Sequence, residues 1–192
     1  MNAPTETSTE LPSHGVPSTD SARSDQTRVP SIRHYQESDW VAIKALLHAT
    51  FASGDTYAYA PDMPDADMRV AWIDGPAATY VACTADGRII GTYILKPNQP
   101  GLGAHVCNCG YVVAADAQGQ GVAAMMCEHS QRVAVALGFL AMQFNLVVST
   151  NQRAVRLWQR LGFTIVGTLP GAFRHQQLGL VDAFVMFKQL AA

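Results

Sequence analysis

Between Tyr111 and Val148 the chain has few paths open to it. An apolar strand pattern, Tyr111-Val112-Val113, runs into Gln118-Gly119-Gln120-Gly121-Val122-Ala123; this opens a helical pattern to about Leu137, and a second strand pattern, Ala141 to Val148, follows Gly138. A strand, a crossover helix and a second strand place the two strands parallel in one sheet through a right-handed connection. Ligands of such sheets sit beyond the carboxyl ends of the strands. The two glycines stand at that end. They let the backbone pass close to a ligand, and a helix starting there turns several free N–H groups outward. This geometry suits an anion, and a pyrophosphate would be held by backbone dipoles without a charged side chain. A tight turn with no ligand fits the same residues. The run is neither a Walker loop, since Lys-Ser/Thr does not follow, nor a dinucleotide fingerprint, since the third glycine and the downstream acid are missing.

With 192 residues and 48% hydrophobic content, the chain suffices for one domain that buries roughly 70% of the surface its unfolded form exposes. A net charge of −2 gives no electrostatic reason to expect nucleic acid or an anionic membrane as partner. Residues 1–29 are dominated by Ser, Thr, Pro, Asp and Glu, the composition of a disordered tail, so the folded domain is expected over residues 30–192. The tail has no apolar signal region, and no run of about 18 apolar residues follows it, which points to a soluble, cytoplasmic protein. Cys83, Cys107, Cys109 and Cys127 suit that compartment. Cys107 and Cys109 are two apart in a strand and lack the Cys-x-x-Cys spacing of zinc sites, so reduced buried thiols are expected and no metal is.

Ser31 to Tyr35 reads as a short strand, followed by a helix capped by Ser38 or Asp39 with Trp40, Ile43, Leu46 and Leu47 on one stripe. Ser53 to Asp67, with Tyr57 and Tyr59, is a long loop and therefore a candidate substrate lid. A short helix over 66–73 comes next. Thr79 to Thr84 and Arg88 to Leu95 flank Asp86-Gly87 as a hairpin. After the strand His105 to Val113 and the crossover, Ala141 to Val148 reads as apolar on both faces, as a buried parallel strand should. A helix capped by Thr150 or Asn151 carries Ala154, Val155, Leu157, Trp158 and Leu161 and stops at Gly162. Residues 163–167 and 182–188 are the last strands. The fold class is α/β (α+β), a mixed sheet with helices on both faces.

In this element order the residues resemble the GCN5-related N-acetyltransferase (GNAT) family over about residues 30–192. Its signature Gln/Arg-x-x-Gly-x-Gly/Ala is met by Gln118, Gly121 and Ala123, with Val113 before the loop; a second, an Asn after the next strand and an aromatic before Gly-Phe, is met by Asn151 and by Trp158 with Gly162-Phe163. The resemblance implies a largely antiparallel sheet whose central parallel pair splays at an acetyl-CoA site, and an enzyme that transfers acetyl to an amine. Acetyl-CoA would be the co-substrate. N–H groups of Gly119, Gln120, Gly121, Val122 and Ala123 would hold its pyrophosphate, Val113 would pair its backbone with the pantetheine arm, and Asn151 would bond nearby atoms or serve only as a helix cap.

Two positions depart from the family pattern. Trp158 stands where a Tyr often donates a proton to the departing thiolate, and Ala115 stands where Pro is frequent. The first loss is tolerable, because a thiol of pKa ~8.5 leaves readily, whereas an amine near ~10 must lose a proton at a cost of about 4 kcal/mol at pH 7. The strand His105 to Gly110 carries no carboxylate for that task. Asn108 and Asn145 are its conspicuous polar residues and those of its parallel neighbour, each either a backbone clip or a substrate binder. The phrases His-Val-Cys-Asn, Phe-Asn-Leu-Val and Gly-Ala-Phe-Arg-His further resemble a GNAT subgroup, typified by yeast enzymes that detoxify the proline analogue azetidine-2-carboxylate. That likeness implies that Asn108 and Asn145 contact a small imino acid, Asn145 toward its carboxylate. His105 could relay the amine proton through water or be an ordinary strand histidine. Arg174 and His175 could meet a carboxylate, or another subunit of a homodimer, or lie in a solvated loop. A protein or peptide acceptor, and a non-catalytic acyl-CoA-binding module, are the alternatives.

Overall fold

The computed structural model describes residues 30–190 together with Met1; the rest of the tail expected over residues 1–29 lies outside the described residues. Seven strands form one sheet: β1 (Ser31–His34), β2 (Ala78–Cys83), β3 (Ile89–Pro97), β4 (Val106–Val113), β5 (Ala141–Val148), β6 (Thr164–His175) and β7 (Gly179–Gln189). Their order across the sheet is β1-β2-β3-β4-β5-β7-β6, antiparallel throughout except for β4 and β5. This is the mixed, largely antiparallel sheet with one central parallel pair.

Helices cover both faces, each with its own core. On one face α1 (Trp40–Ala52) and α2 (Asp65–Arg69), which continues into a π turn over Val70–Asp74, bury Ile43, Leu47, Phe51, Met68 and Trp72 against Val81, Ile94 and Val112. On the other, α3 (Val122–Ala136) and α4 (Gln152–Arg160) set Met126, Cys127, Val155 and Trp158 against Tyr93, Leu95, Cys109 and Met142. Alternation along β4 serves both cores: Cys107 and Cys109 face one side and Val112 the other. All four cysteines are buried free thiols.

Local chemistry sets the element ends. Asp39 does not cap α1 through its side chain; its carboxylate turns back to accept the Gln36 N–H at 2.8 Å and a two-pronged pair from Arg33 at 2.7 and 2.8 Å. Asn151 caps α4, its Oδ1 accepting the Ala154 N–H at 3.1 Å.

Two expectations are corrected. The last two strands are much longer than 163–167 and 182–188, because register shifts between Ile165 and Gly167 and between Leu169 and Phe173 absorb Gly167, Pro170 and Gly171, which hide the alternation. β5 is not buried on both faces throughout: Asn145 is exposed where the β5–β7 ladder lapses between Phe144 and Val147.

Candidate active site

The parallel ladder between β4 and β5 comprises only Val106 with Ala141 and Cys107 with Met142. Beyond Cys107 the two strands part. The Ala114 N–H donates to Ile90 O at 2.9 Å and the Asn98 N–H to Val106 O at 2.8 Å, which fixes the phase of the β3–β4 ladder. In that phase the backbone groups of Cys109, Tyr111 and Val113 point toward β5, where no ladder remains to receive them. The Tyr57 hydroxyl reaches into this gap and donates to Tyr111 O at 3.0 Å. Gly110 makes room for it, since a Cβ there would lie 3.1 Å from the Tyr57 hydroxyl and 3.4 Å from the Trp72 ring.

A cavity of about 1290 Å³ follows the gap. Its floor is β4 and the end of β5; its far wall is the glycine turn with the starts of α3 and α4; over the remaining side lie residues 53 and 55–59 and, from the β6–β7 hairpin, His175, Gln177 and Leu178. The loop from Ser53 thus stands where a lid was expected. It is tied to the hairpin by the Gln176 N–H, which donates to Gly54 O at 3.1 Å.

At the glycine turn, Gly119 and Gly121 have φ of 84° and 82°, left-handed values that other residues adopt only with strain. Gly121 is the residue from which α3 starts, so the first N–H groups of a 15-residue helix face the cavity without intrahelical partners. A Cβ on Gly121 would meet no protein atom within 4 Å, and one on Gly119 would lie 3.1 Å from an Arg153 guanidinium nitrogen. Open space over a glycine at a helix N-terminus, with an arginine at its side, fits a phosphate group. The pyrophosphate of acetyl-CoA fits this cradle, and the ladder-free backbone of β4 fits its pantetheine amides.

Gln118, Gly119, Gly121, Val122, Ala123, Val113 and Asn151 all line the cavity, together with Asn108 and Asn145. Two expected residues do not. The Gln120 side chain turns away and donates to Asp116 O at 2.7 Å. His105 sits exposed at the amino end of β4, its Nδ1 3.1 Å from Leu102 O, whereas the cavity opens toward the carboxyl ends. Asn108 is a clip, its Nδ2 donating to Gln143 O at 2.8 Å across the parting strands, which leaves its Oδ1 for a ligand. Asn145 is engaged at both ends of its amide: it accepts from Gln143 Nε2 at 2.8 Å and donates to Asn98 Oδ1 at 2.7 Å. Trp158 packs beside the gap, with ring centroids 5.1 Å from Tyr111 and 5.2 Å from Phe144.

His175 lies at the end of β6 over the cavity rather than in a solvated loop, and its Nδ1 accepts N–H bonds from Gln177 and Leu178; Arg174 does not line the cavity. Sequence reasoning missed Asp55, Thr56 and Lys96. Lys96 pairs in register with Asn108, so its side chain shares that face of the sheet. The only signal for Asp55 and Thr56 was their place in a long loop. Burial raises the Tyr57 phenol well above its ordinary pKa and pushes the Cys107 thiol up to about 12. Both remain protonated at neutral pH, so Tyr57 is a fixed hydrogen-bond donor and the thiols are not nucleophiles. Among the described residues no group of three or more His, Cys, Asp or Glu is placed to hold a metal, and no helix is long and apolar enough to cross a membrane.

Comparison with known proteins agrees with this geometry. The sequence matches the acetyltransferase (GNAT) family over residues 40–163. A GCN5-related N-acetyltransferase from Kribbella flavida is 42% identical, with a TM-score of 0.80, covering 84% of this chain and 98% of that one. A phosphinothricin acetyltransferase of the GNAT superfamily from Sinorhizobium meliloti, solved with acetyl-CoA, shares the fold at 18% identity, with a TM-score of 0.76 and coverage of 84% and 89%. The N-acetyltransferase aca1 of Schizosaccharomyces pombe is 34% identical over 115 residues, 57% of this chain and 54% of that protein, so the match spans about half the curated relative's length. From the splayed strands, the helix-borne glycine turn and these likenesses together, the chain belongs to the acetyltransferase (GNAT) family, a family of acetyl-CoA-dependent N-acetyltransferases.

Proposed function

We propose that this protein transfers the acetyl group of acetyl-CoA to a small amine or imino acid, such as the proline analogue azetidine-2-carboxylate. The observation that carries this reading is the tie between two segments that line the cavity, the loop from Ser53 and the β6–β7 hairpin, through Gln176 N–H to Gly54 O at 3.1 Å. A peptide acceptor needs an open groove on the side that the loop from Ser53 and the hairpin tip cover. Acetyl-CoA supplies an activated acyl group whose thiol leaves readily; the chain supplies position and polarity. In this reading the N–H groups around Gly121 hold the pyrophosphate, the backbone of Val113 pairs with the pantetheine arm, and the Nδ2 of Asn151 bonds alongside it. Asn108, anchored through Nδ2 to β5, presents Oδ1 to the acceptor N–H. Asn145 takes the acceptor's carboxylate by giving up its bond to Asn98. His105, outside the cavity, has no part.

An acceptor of this kind would make the reaction a detoxification in the cytoplasm, and the exposed apolar side chains Ile165, Val166 and Leu169 of the edge strand β6 are the surface a homodimer would use. The test is a screen of free-thiol release from acetyl-CoA against amino acids, imino acids, polyamines and peptides. Release with small amines or imino acids is expected. A preference for peptides overturns the small-acceptor reading, and absence of acetyl-CoA binding in a calorimetric titration overturns transfer altogether.

A further inference from the structure

We propose that Asp55, with the Thr56 hydroxyl beside it, binds the acceptor as an ammonium ion and takes the proton that must leave before the nitrogen can attack. The proposal rests on the acetyltransferase reading and names the group that β4 lacks.

Among the described residues Asp55 is the one carboxylate lining the cavity. The other charged side chains that line it are Lys96, Arg153 and Arg160, all cationic, so among the described residues Asp55 is the counter-charge for a positively charged acceptor. Arg153, on α4, lies beside the glycine turn. The carboxylate is held in place. Ser53 Oγ, whose one proton is shared between Thr50 O at 2.6 Å and Asp55 Oδ1 at 2.5 Å, lies against it, and the residue before it is pinned to the hairpin through Gly54 O. Its Oδ2 remains for a ligand.

Thr56 supplies an independent observation. Its Oγ1 is buried and has no hydrogen-bond partner among the described residues. Orphaned buried hydroxyls are rare in folded proteins, because each loses its bonds to water and gains nothing in return. Thr56 lines the cavity, so a turn about its Cα–Cβ bond would bring Oγ1 to an acceptor N–H and satisfy it. Tyr57, Tyr59 and Trp72 line the same end of the cavity, and aromatic faces favour cations. Carboxylate, hydroxyl and aromatic rings together are the chemistry that recognises an ammonium group.

An alkylamine or imino acid, with a pKa near ~10, arrives as an ammonium at pH 7. Asp55 accepts one N–H proton and passes it to water. The freed lone pair forms the N–C bond to the acetyl carbonyl carbon, the C–S bond breaks, and the second proton leaves nitrogen as CoA departs as the thiol. The sum is ammonium plus acetyl-CoA giving amide, CoA thiol and one proton released to solvent.

The experiment compares two probes in wild type and Asp55→Asn at pH 7: azetidine-2-carboxylate, cationic at nitrogen, and aniline, an arylamine uncharged at that pH. Loss of a charge-assisted hydrogen bond should lower kcat/KM for azetidine-2-carboxylate roughly ten- to a hundredfold, while kcat/KM for aniline and the affinity for acetyl-CoA stay within about twofold of wild type. Thr56→Val should lower the first value in the same direction. Equal losses for both probes, or no loss for either, overturn the proposal and leave the acetyltransferase reading standing. A wild type that releases thiol with neither probe, nor with any other alkylamine, overturns both.

Discussion

The side-chain amide of Asn108 donates to the main-chain carbonyl of Gln143 at 2.8 Å, one residue beyond the last ladder pair that joins β4 to β5. A side chain thus takes over where the backbone ladder stops, and the strands part from a fixed point. Asn108 also lines the cavity that follows the gap, so clip and cavity wall share one residue.

Asn108→Ala should therefore lower stability and activity together. The Gln143 carbonyl loses its partner at a cost of about 1 to 3 kcal/mol, read as a lower denaturant midpoint at unchanged slope. The kcat/KM for the acceptor should fall further than this loss of folded protein explains, with acetyl-CoA affinity largely kept. An unchanged midpoint would show that the clip does not hold the strands.

Gly121→Ala should separate fold from cofactor. At a φ of 82° the new Cβ costs about 1 to 2 kcal/mol of stability. It also stands in the space where a phosphate would approach, so acetyl-CoA affinity should drop at least about tenfold. Gly87→Ala is the control, because Gly87 has a φ of 87° with nothing within 4 Å and does not line the cavity. It should show a similar stability loss with no loss of affinity. Matching affinities in the two variants would remove the turn from the cofactor site.

Trp158→Phe should leave the rate of acetyl transfer within about threefold, because indole donates no proton to a leaving thiolate and a thiol of pKa ~8.5 needs none. Trp158→Ala should instead cost about 3 to 5 kcal/mol, the usual loss when a buried indole is emptied. Denaturant melts and steady-state kinetics on both variants check this pair of outcomes. A large rate loss in the Phe variant would give the indole a role in catalysis.

All four thiols should resist a disulfide reagent at pH 8 in the native protein and react in full on unfolding. Each is buried, and burial raises its pKa, that of Cys107 up to about 12. A thiol count by absorbance, before and after adding guanidinium, reads the outcome. Fast labelling of any native cysteine would show an opening of the sheet.

Arg33→Ala should flatten the loss of stability in acid. Arg33 holds the Asp39 carboxyl below its ordinary pKa. A depressed folded-state value stabilises the fold fully above the unfolded pKa of about 3.9, and this contribution is lost as pH falls through the folded value. The variant loses most of that difference, so its melting temperature should fall less steeply than wild type below about pH 4. Parallel curves would mean that the pair contributes nothing to folding.

The sequence by itself determined the order of the elements and the place of the glycine turn between two parallel strands. Hydrophobic period, the Asp86-Gly87 turn and the Asn151 cap are local signals, so the strand, glycine turn, helix and strand from Tyr111 to Val148 were legible without tertiary information. Proline and glycine obscured the long hairpin of β6 and β7, because bulges break the alternation that marks a strand. Only the tertiary structure decided which side chains share the cavity. Asp55, Thr56, Lys96 and His175 come from three distant segments, and no spacing in the chain records that they line one cavity. The same holds for His105, which has suitable chemistry and sits at the far end of β4 from the cavity. Where a ladder ends is set by the balance of pairing along both edges of two strands, and that balance, which opens β4 from β5, exists only once the sheet has formed.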